Sequence, residues 1–143
     1  MQTTGKILGV DLGTVRTGIA VSDPSGLLAA PVGTVTQRDL ERLAEQVAQT
    51  AQEQAAVEIV VGHPRNMDGT RGESARRAEQ FAEKLRDLTG LPVSLWDERM
   101  TTVSAIGILN QTNTRGQKRK AVVDTVAATI ILQDYLDYKR LQR

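Results

Sequence analysis

The stretch "KILGVDLGTVRTGIAVSD", residues 6–23, decides the architecture. Two β-branched runs, KILGVD (6–11) and GIAVSD (18–23), flank the segment LGTVRT. Two strands joined by a small turn fit this pattern, with Gly13 and Gly18 permitting tight backbone. A third strand is expected within "LLAAPVGTVTQ", 27–37. Pro31 has no amide proton to give a ladder, so its N-terminal half belongs at an edge or outside the sheet. The hydrophobic period then changes. Leu40, Leu43, Ala44, Val47, Ala48 and Ala51 recur at three and four residues, which marks an amphipathic helix over 38–55. "VEIVVG" (57–62) reads as a buried strand and "HPRNMDGTRG" (63–72) as a loop. Ala75, Ala78, Phe81, Ala82, Leu85 and Leu88 give the next helix, stopped by Gly90 and Pro92. "PVSLW" (92–96) is a short strand; a helix over 102–109, a polar segment over 110–120 and a last helix to about Tyr138 follow.

This pattern predicts one α/β domain over residues 1–143: a mixed five-stranded sheet in βββαβαβα order, flanked by helices, with the short 102–109 helix added before the last. Functional groups on such sheets gather at the carboxyl ends of adjacent strands. The composition fits a globular chain, with 40% apolar and 24% charged residues. Only four residues are aromatic (Trp96, Tyr135, Tyr138, Phe81), which counts against a nucleic-acid binder built on an aromatic stacking platform. Net charge is +1, but its distribution is uneven. Residues 1–62 hold four Lys/Arg against seven acids, whereas 115–143 hold seven against three. "RGQKRK" (115–120) carries four positive charges in six residues, which suits a phosphate-bearing partner and equally suits a solvated loop. There is no cysteine, so thiolate chemistry is excluded. No signal pattern opens the chain and no apolar run approaches the ~20 residues of a membrane span, so a cytoplasmic protein with no membrane partner is expected.

Three acidic positions stand out. Asp11 closes the first strand, Asp97 and Glu98 follow the fifth, and Asp124 lies near the start of "KAVVDTVAATIIL" (120–132), a helix apolar on nearly all sides. Each has an ordinary explanation as a turn, cap or helix-dipole residue. Were the first and fifth strands to run the same way, Asp11 and Glu98 would share one edge, and a helix lying across that edge would bring Asp124 to the same spot. Two carboxylates ~4 Å apart repel by about 4 kcal/mol at an effective dielectric of 20. A cluster of three needs protons or a cation. Mg²⁺ or Mn²⁺, which prefer oxygen ligands, would resolve the repulsion.

Four blocks carry a family resemblance: "GVDLGTVRTGIAVSD", "VVGHPRNMDGTRGESARRAEQFAEKL", "WDERMTTVSA" and "VDTVAATIILQDYL". They resemble the YqgF, or RuvX-like, family, described as pre-16S ribosomal RNA nucleases and also as Holliday junction resolvases, with a ribonuclease-H-like fold. The blocks span Ile7 to about Leu136 in the family's order. The resemblance implies that Asp11, Glu98 and Asp124 are catalytic, metal-binding acids, with Asp11 bridging two ions. Two departures stand out: Val15-Arg16 where members usually carry Lys-Arg, and His63 where they usually carry Leu.

The expected reaction is phosphodiester hydrolysis assisted by two cations ~3.5–4 Å apart. Arg16, Arg99, Lys118, Arg119 and Lys120 are the expected substrate contacts, touching phosphates of RNA or DNA without reading bases. Backbone amides near Gly13 and Thr14 are further candidates. "NMDGT" (66–70) reads equally as a substrate loop or an Asp-Gly turn. His63 is weighed as a general base and, more simply, as a loop histidine. The mixed charges over 71–87 read as a solvated helix face. A homodimer is an option that the apolar last helix could supply. Processing of pre-16S ribosomal RNA leads over junction resolution. Two rivals remain: an ATP-using enzyme of the actin and sugar-kinase superfamily, which needs a second domain, and a nuclease-like module that binds without cleaving.

Overall fold

The computed structural model describes residues 5–100 and 116–142, with side chains in the last segment described from Thr125 onward. Strands β1 (Lys6–Asp11), β2 (Arg16–Ser22) and β3 (Ala29–Thr36) form an antiparallel meander. Helix α1 (Leu40–Glu53), strand β4 (Ala56–His63), helix α2 (Glu73–Thr89) and strand β5 (Val93–Asp97) alternate after it. A 3-10 turn spans Glu98–Met100, and helix α3 runs from Gly116 to Leu141. The sheet order is β3-β2-β1-β4-β5, with β1, β4 and β5 parallel. This is the mixed five-stranded sheet expected from the sequence. Pro31 indeed lies on edge strand β3, where the register with β2 shifts between Ile19 and Ala20.

Strand alternation sorts side chains into two layers. Leu8, Val10, Ile59, Val61 and Val93 point to one face, where they bury Leu43, Val47, Phe81 and Leu85 of α1 and α2. Ile7, Val60 and Trp96 point to the other and pack on Ala128, Ile131, Leu132, Tyr135 and Leu136 of α3. Gly9 lets α3 approach closely: a Cβ there would stand 2.7 Å from Leu132 Cβ. Asp39 caps α1 by accepting from the Glu41 amide. Gly90, at φ +70°, ends α2 in the left-handed conformation that glycine adopts without strain.

Two expectations change. The polar segment assigned to 110–120 gives way to helix from Gly116, because Gln117, Lys118, Arg119, Lys120 and Ala121 are good helix formers with no breaker among them. The last helix is also less enclosed than its composition suggests. Its sheet-facing stripe is buried, while Val126 and Ile130 stay partly exposed. The helix expected over 102–109 lies outside the described residues.

Candidate active site

Because β1, β4 and β5 are parallel, their carboxyl ends share one edge. Alternation places Asp11 on the face of Ile7 and Gly9, toward α3. On β4, Gly62 shares that face with Val60. On β5, Trp96 does, and Glu98 follows two residues later. A Cβ at Gly62 would lie 2.8 Å from Glu98 Oε2 and 3.0 Å from Ile131 Cδ1. The missing side chain is therefore the space that the Glu98 carboxylate fills. Asp11 and Glu98 thus flank a bare central strand from either side, on one face and at one edge. Burial, aided by the neighbouring charge of Asp97, pushes the Glu98 carboxyl up to about 6.

Asp97 behaves differently, as alternation requires. It shares a face with Val93 and Leu95, and its carboxylate is held by Arg99, whose guanidinium keeps it below the usual carboxylate range. The two consecutive acids of the DER motif therefore serve opposite faces, and of the two only Glu98 lies on the face of Asp11.

The third expected acid is approached through its backbone. Asp11, Gly18 and Thr34 stand in one row across β1, β2 and β3. Thr34 Oγ1 lies 2.9 Å from Thr125 Oγ1, so the residue following Asp124 is tied to the row of Asp11. Further along α3, Ile131 sits over Gly62 and the Tyr135 hydroxyl donates to Glu58. The helix therefore runs antiparallel to β4, with its N-terminal half toward the carboxyl edge. The side chains of Asp124, Lys118, Arg119 and Lys120 lie outside the described residues. Among the described residues no group of three or more metal-ligating side chains is gathered. Arg16 opens β2 on the face of Gly18 and Ala20, at the same edge as Asp11.

Other sequence-derived candidates are redirected. His63 ends β4 on the α2 side, 91% shielded, with Nε2 2.7 Å from Glu79 Oε2. Glu79 also accepts from Arg71 at 3.0 Å, so one carboxylate fastens both ends of the 64–70 loop. That placement is across the sheet from Glu98, with the imidazole tied to α2. The Gly13 amide donates inward to Thr17 Oγ1 at 3.2 Å. The "NMDGT" segment forms a hydrogen-bonded turn, with Gly69 N donating to Asn66 O at 2.8 Å and Gly69 at φ +90°. The α2 charges are not all solvated: Arg77 donates to Gly13 O at 2.8 Å, and Arg86 reaches Val93 O through two nitrogens. Sequence reading missed Gly62, the Arg77 tether and the Thr34–Thr125 contact. The "VVG" run ending one residue short of the strand's end was the only local sign of the first.

Comparison with known proteins matches residues 5–138 to the family model described as RuvX, Holliday junction resolvase. A Lachnospira eligens protein named "Putative pre-16S rRNA nuclease" is 45% identical over 138 residues, covering 94% of this chain and 99% of the relative. A Mycobacteroides abscessus protein of the same name is 44% identical over 142 residues, covering 95% and 83%. Among solved structures, T. thermophilus RuvC in complex with a Holliday junction substrate superposes with a TM-score of 0.64 at 12% identity, covering 96% of each chain. That likeness establishes a shared ribonuclease-H-like fold.

Proposed function

This chain belongs to the RuvX family, and from that premise we propose that it is a divalent-metal-dependent nuclease hydrolysing phosphodiester bonds, with pre-16S ribosomal RNA as its leading substrate. The observation that supports the reading is that Asp11 and Glu98 end two of three parallel strands on one face, with the Glu98 carboxylate set over Gly62 of the strand between them. The donor set fits Mg²⁺ or Mn²⁺: these are hard carboxylate oxygens, and no donor among the described residues serves the Glu98 carboxylate. Asp11 and Glu98 would hold the ion, with Asp124 as third ligand from α3. When bound, such an ion supplies an activated water and neutralises charge developing on the phosphate.

The chain's own residues do the rest. The Gly62 gap admits the Glu98 carboxylate, and Ile131 of α3 packs over the same gap, so the carboxylate would be held at the edge where the ion binds. Arg16, at the same edge as Asp11, would take a substrate phosphate, and Lys118, Arg119 and Lys120 would extend that contact along the strand. Arg77 holds the β1–β2 turn and so maintains the approach of Asp11. A single domain, cytoplasmic and working alone or as a homodimer, is part of the same proposal.

Junction resolution is the second reading, favoured by the family description. Labelled single-stranded precursor RNA and a four-way DNA junction, each incubated with Mn²⁺, Mg²⁺ or chelator, separate the two. Metal-dependent cleavage of RNA alone supports the leading substrate, and cleavage of the junction alone replaces it. Binding of either without cleavage under any metal defeats the enzyme reading.

A further inference from the structure

We infer that Asp97 is a positioning residue of this proposed nuclease: it grips Arg99, and through Arg99 it fixes both the turn that carries Glu98 and the 66–70 loop beside the carboxyl edge. The inference rests on the nuclease reading for its catalytic consequence, though not for its geometry.

The grip has four hydrogen bonds. Asp97 Oδ1 accepts from the Arg99 backbone amide and from Nε, both at 3.0 Å. Oδ2 accepts from Nε at 3.0 Å and from Nη2 at 2.6 Å. Forked, charge-assisted contacts of this kind are among the strongest and most directional available to side chains. The pair lies at the surface, with side chains 22% and 31% exposed, and it is the bidentate fork, rather than burial, that sets it apart from ordinary surface ion pairs.

Its position gives it consequence. Glu98 lies between the two gripped residues, so its backbone is held on both sides while its own carboxylate crosses to the opposite face and fills the space above Gly62. Arg99 also reaches outward: Nη1 donates to Met67 O at 3.5 Å, and a Cβ at Gly69 would lie 3.5 Å from the same nitrogen. Arg65 completes the arrangement by donating to Gly69 O, and its charge also acts on Asp97. One carboxylate thus links the strand end, the 3-10 turn and the neighbouring loop. This reading competes with Arg99 as a direct phosphate contact, since Nε and Nη2 are already committed.

The two readings part in kinetics. D97N, R99A and the double variant are compared with the wild-type chain on whichever of precursor RNA and four-way junction it cleaves, in Mn²⁺. Amide hydrogen exchange is measured on the same proteins without substrate. If Asp97 positions Glu98, each single variant loses about 10- to 100-fold in kcat, as groups that orient metal ligands do. KM for the nucleic acid stays within about twofold, and the double variant is no worse than the singles. Amides of residues 66–70 and 99 exchange about tenfold faster while those of β4 do not change. If R99A instead raises KM and D97N, which frees the guanidinium, does not, Arg99 is a phosphate contact and the inference falls. It also falls if exchange over 66–70 and 99 is unaltered in D97N. A wild-type chain that cleaves neither substrate removes the nuclease reading, and exchange alone then decides whether the grip exists. Should D97N fail to fold, R99K takes its place, since it keeps the charge and loses the fork.

Discussion

Replacing Glu98 by Gln is the sharpest probe of the carboxylate site, because it keeps the shape over Gly62 and removes the charge. The Glu98 carboxyl is raised from 4.5 to about 6, first by burial and then by Asp97. A raised acid binds its proton more tightly in the folded state than in the unfolded one. Stability is therefore lost as pH climbs from about 4.5 through 6, and stays lost above it. The full shift corresponds to about 2 kcal/mol, and partial exposure of the side chain brings the expectation to about 1–2 kcal/mol. For a chain of 143 residues that is roughly 3–6 °C in Tm. In chelator at pH 7.5, E98Q should melt higher than wild type by this amount, and at pH 4 the two should coincide. Adding Mn²⁺ at a hundred times its dissociation constant should raise the wild-type Tm through about 2.7 kcal/mol of linkage and leave E98Q nearly unmoved. Calorimetry at both pH values with and without Mn²⁺ makes the comparison. An E98Q protein that melts lower than wild type at pH 7.5, or gains as much from Mn²⁺, would refute a strained, cation-seeking carboxylate.

Gly62→Ala places a methyl 2.8 Å from Glu98 Oε2; cleavage should fall more than tenfold while stability drops by only about 1–3 kcal/mol, read by kinetics and denaturant unfolding. Asp11→Asn should abolish cleavage without weakening retention of nucleic acid in a mobility-shift assay, since it leaves the basic side chains intact. His63→Leu breaks the 2.7 Å bond to Glu79 and should cost about 1 kcal/mol, yet the pH–rate profile between 5 and 8 should keep its shape. Loss of a limb of that profile would return His63 to catalysis. Tyr135→Phe removes the phenol that donates to Glu58 and should cost about 1 kcal/mol in stability while leaving kcat unchanged, because that contact lies at the far end of β4 from the site.

Much of the architecture was legible locally. The period-two runs of 6–11 and 18–23, the three-and-four spacing of 40–51 and 75–85, and the Gly90 stop each depend on neighbours within a few residues. Asp11 and Glu98 were legible as strand-end acids. Their shared edge was expected only on the condition that the first and fifth strands run the same way; that β4 inserts between them, with Gly62 leaving room for Glu98, was not legible. His63 looked like a loop residue because the end of β4 is set by pairing with β5, His63 standing opposite Asp97. Arg77 looked like one of several solvated charges because nothing near it in sequence says that Gly13, 64 residues away, needs a donor.

By itself the sequence determined most of the described elements, their order and the strand-end placing of Asp11 and Glu98, since propensity, periodicity and turn chemistry act over short spans of chain. Tertiary structure alone decided that Asp97 leaves on the other face from Glu98 and grips an arginine, and that Gly62 leaves the room Glu98 fills. The physical reason is the two-residue alternation of a strand: consecutive side chains leave on opposite faces, and only the packing of helices on each face says what waits there.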